Sequence, residues 1–215
     1  MTRTTSCLSH VENSSFEQSI HLYPTNSSIA LHNKHMLKQL NMPIAHCFAK
    51  QRNQNAHQSI DDEQLPLKVL LVVGQQVMLT TNLWVQAGLV NGSLGKVIHI
   101  VYKSNEKPPT LPYFVVVEFV HYKGPLWDSS NPTYVPISPI TRGSRRQIPL
   151  RMAWGLTIHK AQGMTLKNVT IDIGNIDTQG LTLIAISRVT SISGLRISPP
   201  FSISRYSRMQ GNQYV

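Results

Sequence analysis

A chain of 215 residues, 41% hydrophobic and only 14% charged, has a globular composition, long enough to bury a core in one large domain or two small ones. Its 20 Lys+Arg against 10 Asp+Glu make it strongly basic, and after Asp128 ten basic residues face only Asp172 and Asp177. Such a balance favours a polyanion, most simply nucleic acid, or else a basic soluble surface without a special partner.

Cys7 and Cys47 have no paired spacing, which argues against a disulfide framework or a cysteine metal site and suits a reducing, intracellular setting. No apolar run has the length of a membrane span or a signal-peptide core, so no membrane partner is expected.

In chain order, residues 1–18 read as an irregular polar tail. Ser19–Tyr23 reads as a short strand stopped by Pro24, and Thr25 with Asn26 or Ser27 can cap a helix over Ser28–Leu40. In that helix Ile29, Met36, Leu37 and Leu40 fall near one face, with His32, Lys34, His35 and Lys38 largely on others. Ile44–Ala49 predicts a strand, and Lys50–Gln64 a polar loop or boundary. From Leu65 the texture is β, with strands expected at Lys68–Val73, Gln76–Thr80, Gly95–Tyr102 and Tyr113–Val120, separated by Gly, Asn and Pro signals. Short strands at this spacing predict a small bent sheet or barrel. An extended Pro- and Arg-rich connector, Asn131–Pro149, leads back to α/β: a strand in Leu150–Thr157, a loop at His159–Gly163, a strand at Val169–Ile173, a helix over Gln179–Arg188 and a strand near Leu195–Ile197. An α/β layer that is interrupted by a β module and then resumes is the pattern of an insertion into a parent domain.

Two segments carry chemistry. In Ala153–Thr165 (AWGLTIHKAQGMT) an apolar strand ends in Thr157, and a polar turn then presents His159, Lys160 and Gln162 before Gly163. A hydroxyl, an imidazole, an ammonium and backbone N–H groups at a strand end suit phosphate contact; a plain polar turn would read the same. In Gly180–Leu195 (GLTLIAISRVTSISGL), Leu181, Ile184 and Ala185 can pack inward while Arg188 emerges at the helix end. Arg188 there either reaches a nucleotide's terminal phosphate or complements the helix dipole.

The two segments together resemble motifs V and VI of the Pif/RecD-like group of superfamily-one DNA helicases. Upstream, His21–Leu40 with LYPTN and Asn33 resembles the group's motif IV region, and Met78–Val97 (MLTTNLWVQAGLVNGSLGKV) resembles the start of its inserted module. The resemblance spans roughly Ser19 to Phe201. It implies an α/β fold: a second RecA-like domain, here 19–64 and 150–201, with a small Src-homology-like β-barrel and connector inserted at 65–149, followed by a tail, 202–215. It implies that Thr157, His159 and Lys160 hold the backbone of single-stranded DNA, that Gln162 and Gly163 couple nucleotide state to that grip, and that Arg188 approaches the γ-phosphate as an arginine finger. Family members move 5′ to 3′ on single-stranded DNA and separate duplexes. Leu183 stands where tyrosine is frequent and Trp154 where smaller residues are; neither change removes a charge or donor.

The sequence contains no G-x-x-x-x-G-K-[ST] phosphate loop, since Gly95-Lys96 is followed by Val97. Asp61-Asp62-Glu63-Gln64 imitates a Mg²⁺-binding acidic box but lacks the apolar strand such a box follows. The expectation is therefore a C-terminal helicase fragment that depends on a missing first RecA-like domain for ATP and Mg²⁺ and does not hydrolyse ATP alone. The alternative is a non-enzymatic remnant that binds single-stranded nucleic acid. His32 with His35 lacks the Cys or carboxylate neighbours of a metal site. Of the aromatics Tyr102, Tyr113, Phe114, Tyr122 and Trp127, core packing is the first expectation and base stacking the second.

Overall fold

The computed structural model describes residues 3–4, 7–51, 65–173 and 180–200. The acidic run Asp61–Gln64, Gln179 and the tail 202–215 lie outside the described residues. In chain order the elements are α1 (His10–Ser14), β1 (Ile20–Tyr23), α2 (Asn26–Gln39), β2 (Ala45–Phe48), β3 (Lys50–Gln51), β4 (Lys68–Leu71) and β5 (Gln76–Leu79). They continue with β6 (Leu94–Val101), β7 (Phe114–Glu118), β8 (Tyr134–Ile137), β9 (Ile140–Arg142), β10 (Arg145–Gln147) and β11 (Leu150–Met152). β12 (Gly155–Thr157), β13 (Val169–Ile171), α3 (Leu181–Ile186) and β14 (Leu195–Ile197) complete the set. Among the described residues no helix is long and apolar enough to cross a membrane. The chain divides into two compact units, Met1–Lys34 with Trp154–Val215, and His35–Ala153.

The first unit is built on a four-stranded sheet in the order β12-β1-β13-β14, every pair parallel. Leu22 of β1 sits between Leu156 of β12 and Ile171 of β13. All three are buried, as are all the residues of β12 and β13; strands covered on both faces read as continuous apolar runs rather than alternating ones. The chain leaves β1 through α2 and returns beside it as β12. Thr25 starts α2, its Oγ1 accepting the Ser28 N–H at 3.3 Å.

Residues 1–18, expected as an irregular tail, instead contain α1, and Thr4 bridges Ile197 at the edge of the sheet. The cause is local: Ser9 and Glu12 form a capping box, each side chain satisfying the other's backbone N–H. Arg3 then pairs with Glu12 at 3.1 Å and donates to the Leu195 carbonyl at 3.0 Å. Phe16 is buried beneath the Arg196 guanidinium, 5.2 Å from the ring centroid.

The second unit is antiparallel. Its sheets are five-stranded (β11-β5-β6-β7-β8), three-stranded (β3-β10-β9) and two-stranded (β2-β4). Cys47, Leu71, Val97, Val115, Val117 and Ile148 are among the core side chains that fill it. A bulge between Val97 and His99 shifts the β6–β7 register. Gly95 is required there, because a Cβ would stand 2.6 Å from Val117 Cγ1 and 2.7 Å from the Glu118 carbonyl oxygen. Gln147, fully buried, donates from Nε2 to the carbonyls of Cys47 and Pro66, both at 3.2 Å, and accepts the Ile148 N–H through Oε1.

Two expectations are corrected. Leu150–Thr157 is not one strand: β11 pairs with β5 in the antiparallel unit and β12 with β1 in the parallel sheet, the break falling at Ala153 and Trp154. An unbroken apolar run carries no mark of where a chain changes sheets. The connector 131–149 is extended as expected, but it forms β8, β9 and β10. Pro136 disguises β8 as non-strand; it is tolerated because β8 is the edge of its sheet.

Candidate functional site

In an open parallel sheet, ligands bind beyond the carboxyl ends of the strands, where consecutive connections run to opposite sides. β1 is such a point, with β12 on one side and β13 on the other. The Thr157–Gly163 turn leaves β12 at that edge, its first N–H, on Ile158, donating to the Tyr23 carbonyl at 3.1 Å. The turn closes on itself, the Ala161 N–H donating to the Thr157 carbonyl at 3.1 Å and the Gln162 N–H to the His159 carbonyl at 3.2 Å. Ile158 and Ala161 are fully buried and anchor it. His159, Lys160, Gln162 and Gly163 are exposed between and after those anchors. Gly163 has φ +79 with open space around it, so the demand there is for a left-handed backbone and not for room.

Thr157 differs from the expectation of a hydroxyl offered to solvent. It is buried, and its Oγ1 accepts the Lys160 N–H at 3.2 Å. The hydroxyl oxygen is used inside the turn, where it caps the Lys160 backbone N–H.

Arg188 lies one residue beyond the C-cap of α3. Its backbone carbonyl accepts the Leu166 N–H at 2.8 Å, and Leu166 pairs with Val189 as a parallel bridge. Two segments far apart in sequence are thus joined just downstream of the turn. The guanidinium is occupied: Nε donates to the Ile184 carbonyl at 3.0 Å, Nη2 to Ser187 Oγ at 2.9 Å, and Nη1 reaches the Met164 carbonyl at 3.5 Å. Leu183, on the same helix, is 65% exposed and so offers an apolar surface, not a packed one.

Behind the turn sits a cluster whose residues the sequence left apart. His21 and His32 stack with centroids 4.2 Å apart, and the Tyr23 hydroxyl lies 3.3 Å from His21 Nδ1. Burial, then the nearby His32 and Arg196, push the His21 imidazole down to about 3, so it is neutral. Burial and the neighbouring Asp172 push the Tyr23 phenol up to about 12. His32 is half-buried, not on an outer face of α2. Asn33 is buried and its Oδ1 accepts the Gly155 N–H at 2.9 Å, tying the helix to β12. The spacing of Asn33 from Leu37 was the available signal for that buried face.

The sequence has no phosphate loop, no group of three or more His, Cys, Asp or Glu among the described residues could hold a metal ion, and the Arg188 guanidinium is already spent on three oxygens.

In the antiparallel unit the aromatics divide. Tyr102 is half-buried, its hydroxyl 3.6 Å from Cys47 Sγ, whereas Trp127 and Tyr113 are about half exposed. Trp127 lines a cleft of about 450 Å³ with Leu83, Trp84, Tyr122 and Leu126. Trp84 was not singled out from sequence, since a tryptophan after a short strand carries no mark of exposure.

Comparison with known proteins is consistent with this architecture. Residues 56–100 match the family model "DNA helicase Pif1, 2B domain". The chain is 35% identical over 171 residues to the ATP-dependent DNA helicase PIF1 of Danio rerio and 34% identical to that of Homo sapiens. Each match covers 79% of this chain and 25% of the relative, so the chain spans about a quarter of the length of these curated relatives. The Pif1 helicase from Candida albicans superposes with a TM-score of 0.67 at 26% identity, over 87% of this chain and 46% of that one. A Bacteroides Pif1 bound to ssDNA shares the fold, with a TM-score of 0.62 at 19% identity, over 89% of this chain and 44% of that one. The mixed α/β architecture with its parallel sheet resembles that of Pif1 helicases, and the family model, the relatives and the solved structures together support a Pif1-like superfamily-one helicase C-terminal region.

Proposed function

We propose that the chain is the DNA-gripping part of an ATP-dependent 5′–3′ DNA helicase, its parallel unit a second RecA-like domain and its antiparallel unit a small Src-homology-like barrel inserted there. The observation that carries this reading is the junction of the segment just after the Thr157–Gly163 turn with the Arg188 segment, through the Leu166–Val189 bridge and the approach of Arg188 Nη1 to the Met164 carbonyl. His159 and Lys160 are exposed on the turn and would contact the phosphates of single-stranded DNA, with Thr157 fixing the turn's backbone at Lys160. Gln162 and Gly163 would face the neighbouring domain of the complete motor. Arg188 would release its present carbonyl partners to serve as the arginine finger there. ATP and Mg²⁺ belong to that complete motor, and the chain by itself would not hydrolyse ATP.

The test is binding of a fluorescent oligothymidylate by the wild type and Lys160→Ala. The substitution should weaken binding and reduce the slope of log affinity against log salt by about 0.7, one phosphate contact on a single strand. Unchanged affinity and slope would remove Lys160 from the strand's path. Substantial DNA-stimulated ATP hydrolysis by the purified chain would overturn the fragment reading.

The absence of a phosphate loop from the sequence also fits a second reading, a helicase remnant that only binds single-stranded nucleic acid. Adding the phosphate-loop domain of a Pif1 relative separates the two. Restored ATPase activity that is lost again in Arg188→Ala supports the motor, and its failure supports the remnant.

A further inference from the structure

In the antiparallel unit, β10 places Arg146 directly opposite Lys50 of β3. Side chains so paired project from the same face with Cβ atoms about 5 Å apart, and like charges there repel. A third cation joins them. Lys103 is held with Nζ 5.3 Å from the centroid of the Tyr113 ring, and Lys50, Lys103, Tyr113 and Arg146 all line one pocket of about 120 Å³. Glu106 lines it too, but among the described residues it forms no ion pair with any of the three cations. Leu111 and Pro112 are buried and, with Pro139, supply an apolar wall beside the charges.

These features ask for an anion. Three converging cations without a paired carboxylate raise the local potential, the apolar wall limits its screening, and an entering anion would relieve the Lys50–Arg146 repulsion. The space is roughly four waters' share of liquid volume, enough for a tetrahedral oxyanion and too little for a nucleoside. Arg146 can fork to two phosphate oxygens while the lysines act as point charges. We propose that this pocket is a phosphate-binding site that takes its phosphate either as a free ion or from the backbone of a nucleic-acid strand. The site lies in the antiparallel unit and uses no residue of the Thr157–Gly163 turn, so it stands or falls apart from the function proposed above.

The test follows backbone amide resonances of the full chain titrated with inorganic phosphate, with sodium chloride of equal ionic strength, and with oligothymidylate. Phosphate, and not chloride, should shift the amides of Lys50, Lys103, Tyr113 and Arg146 saturably. The variant Lys50→Ala/Lys103→Ala, altered only at exposed positions, should bind phosphate about tenfold more weakly. If oligothymidylate shifts the same amides and competes with phosphate, the strand is the source; if phosphate alone shifts them, the free ion is. If neither probe moves them in the wild type, or the double substitution leaves the affinity unchanged, the site is refuted. Lys160→Ala should leave the phosphate titration untouched, so a failure of the turn to bind DNA is read separately.

Discussion

The antiparallel unit pairs β5 with β6, β6 with β7 and β7 with β8, neighbours along the chain, whereas the parallel unit pairs Ile20–Tyr23 with Gly155–Thr157 across the whole insertion. Those three pairings close connections of 12 to 15 residues, against 131 between β1 and β12, so they cost less loop closure and depend more on nearby sequence. Parallel pairings need crossovers, and their register is set by packing on both faces. Placing distant segments side by side at one sheet edge is also what assembles a site. The unit with the less local sheet accordingly holds the turn and Arg188 together, and in the other unit the cation cluster likewise rests on its distant pairing, β10 with β3, rather than on β5–β8.

The sharpest way to break this contrast is Trp154→Ala. Trp154 is 1% exposed and begins the return to the parallel unit, its carbonyl accepting the His21 N–H at 2.8 Å. The truncation should cost about 3–5 kcal/mol, and hydrogen exchange should show the loss in β1, β12 and β13 before β5–β8. Equal loss in both units would mean that they unfold as one. Gly95→Ala is the converse test. Its Cβ would collide with the Glu118 carbonyl at 2.7 Å, so about 2 kcal/mol should be lost, with faster exchange in β6 and β7 and little change in the parallel sheet.

A pH titration sharpens the comparison further. His21 is held at about 3 in the folded chain against 6.5 for an ordinary histidine, so between those values the unfolded chain binds the extra proton. The stability of the parallel unit should be full above about 6.5 and fall as the pH drops toward 3, by up to about 1.4 kcal/mol per pH unit. Urea unfolding of wild type and His21→Asn across that window checks it, and an equal slope in the variant would assign the effect to other groups. The smallest effect is expected of Ser9→Ala. Loss of the capping box should cost about 1 kcal/mol and loosen α1 and the Thr4 bridge without touching the antiparallel unit, as amide exchange at Glu12 and Ile197 would report.

Much was legible from residues alone. The strand stopped by Pro24, the helix after Thr25, strands near 68, 76, 95 and 114, and the final strand at Leu195 follow from local periodicity and breakers. The Ser9–Glu12 box is equally local, but it lies in a polar stretch with no apolar periodicity to mark a helix. Arg188 and the 157–163 turn were visible as residue types at a strand end and a helix end. Their junction through Leu166 was not, since a parallel bridge leaves no sequence pattern.

By itself the sequence determined β1, α2, β2, β4–β7, β13, α3 and β14 to within a few residues, and the resemblance to a helicase family through its motifs, because each rests on patterns within a few residues. Only the tertiary structure decided the rest. It split 150–157 between two sheets, turned the Thr157 hydroxyl inward onto the Lys160 N–H, engaged Arg188 with backbone carbonyls and set Arg146 against Lys50. These depend on which distant segments share a core, and that is settled by burial and shape rather than by any local code.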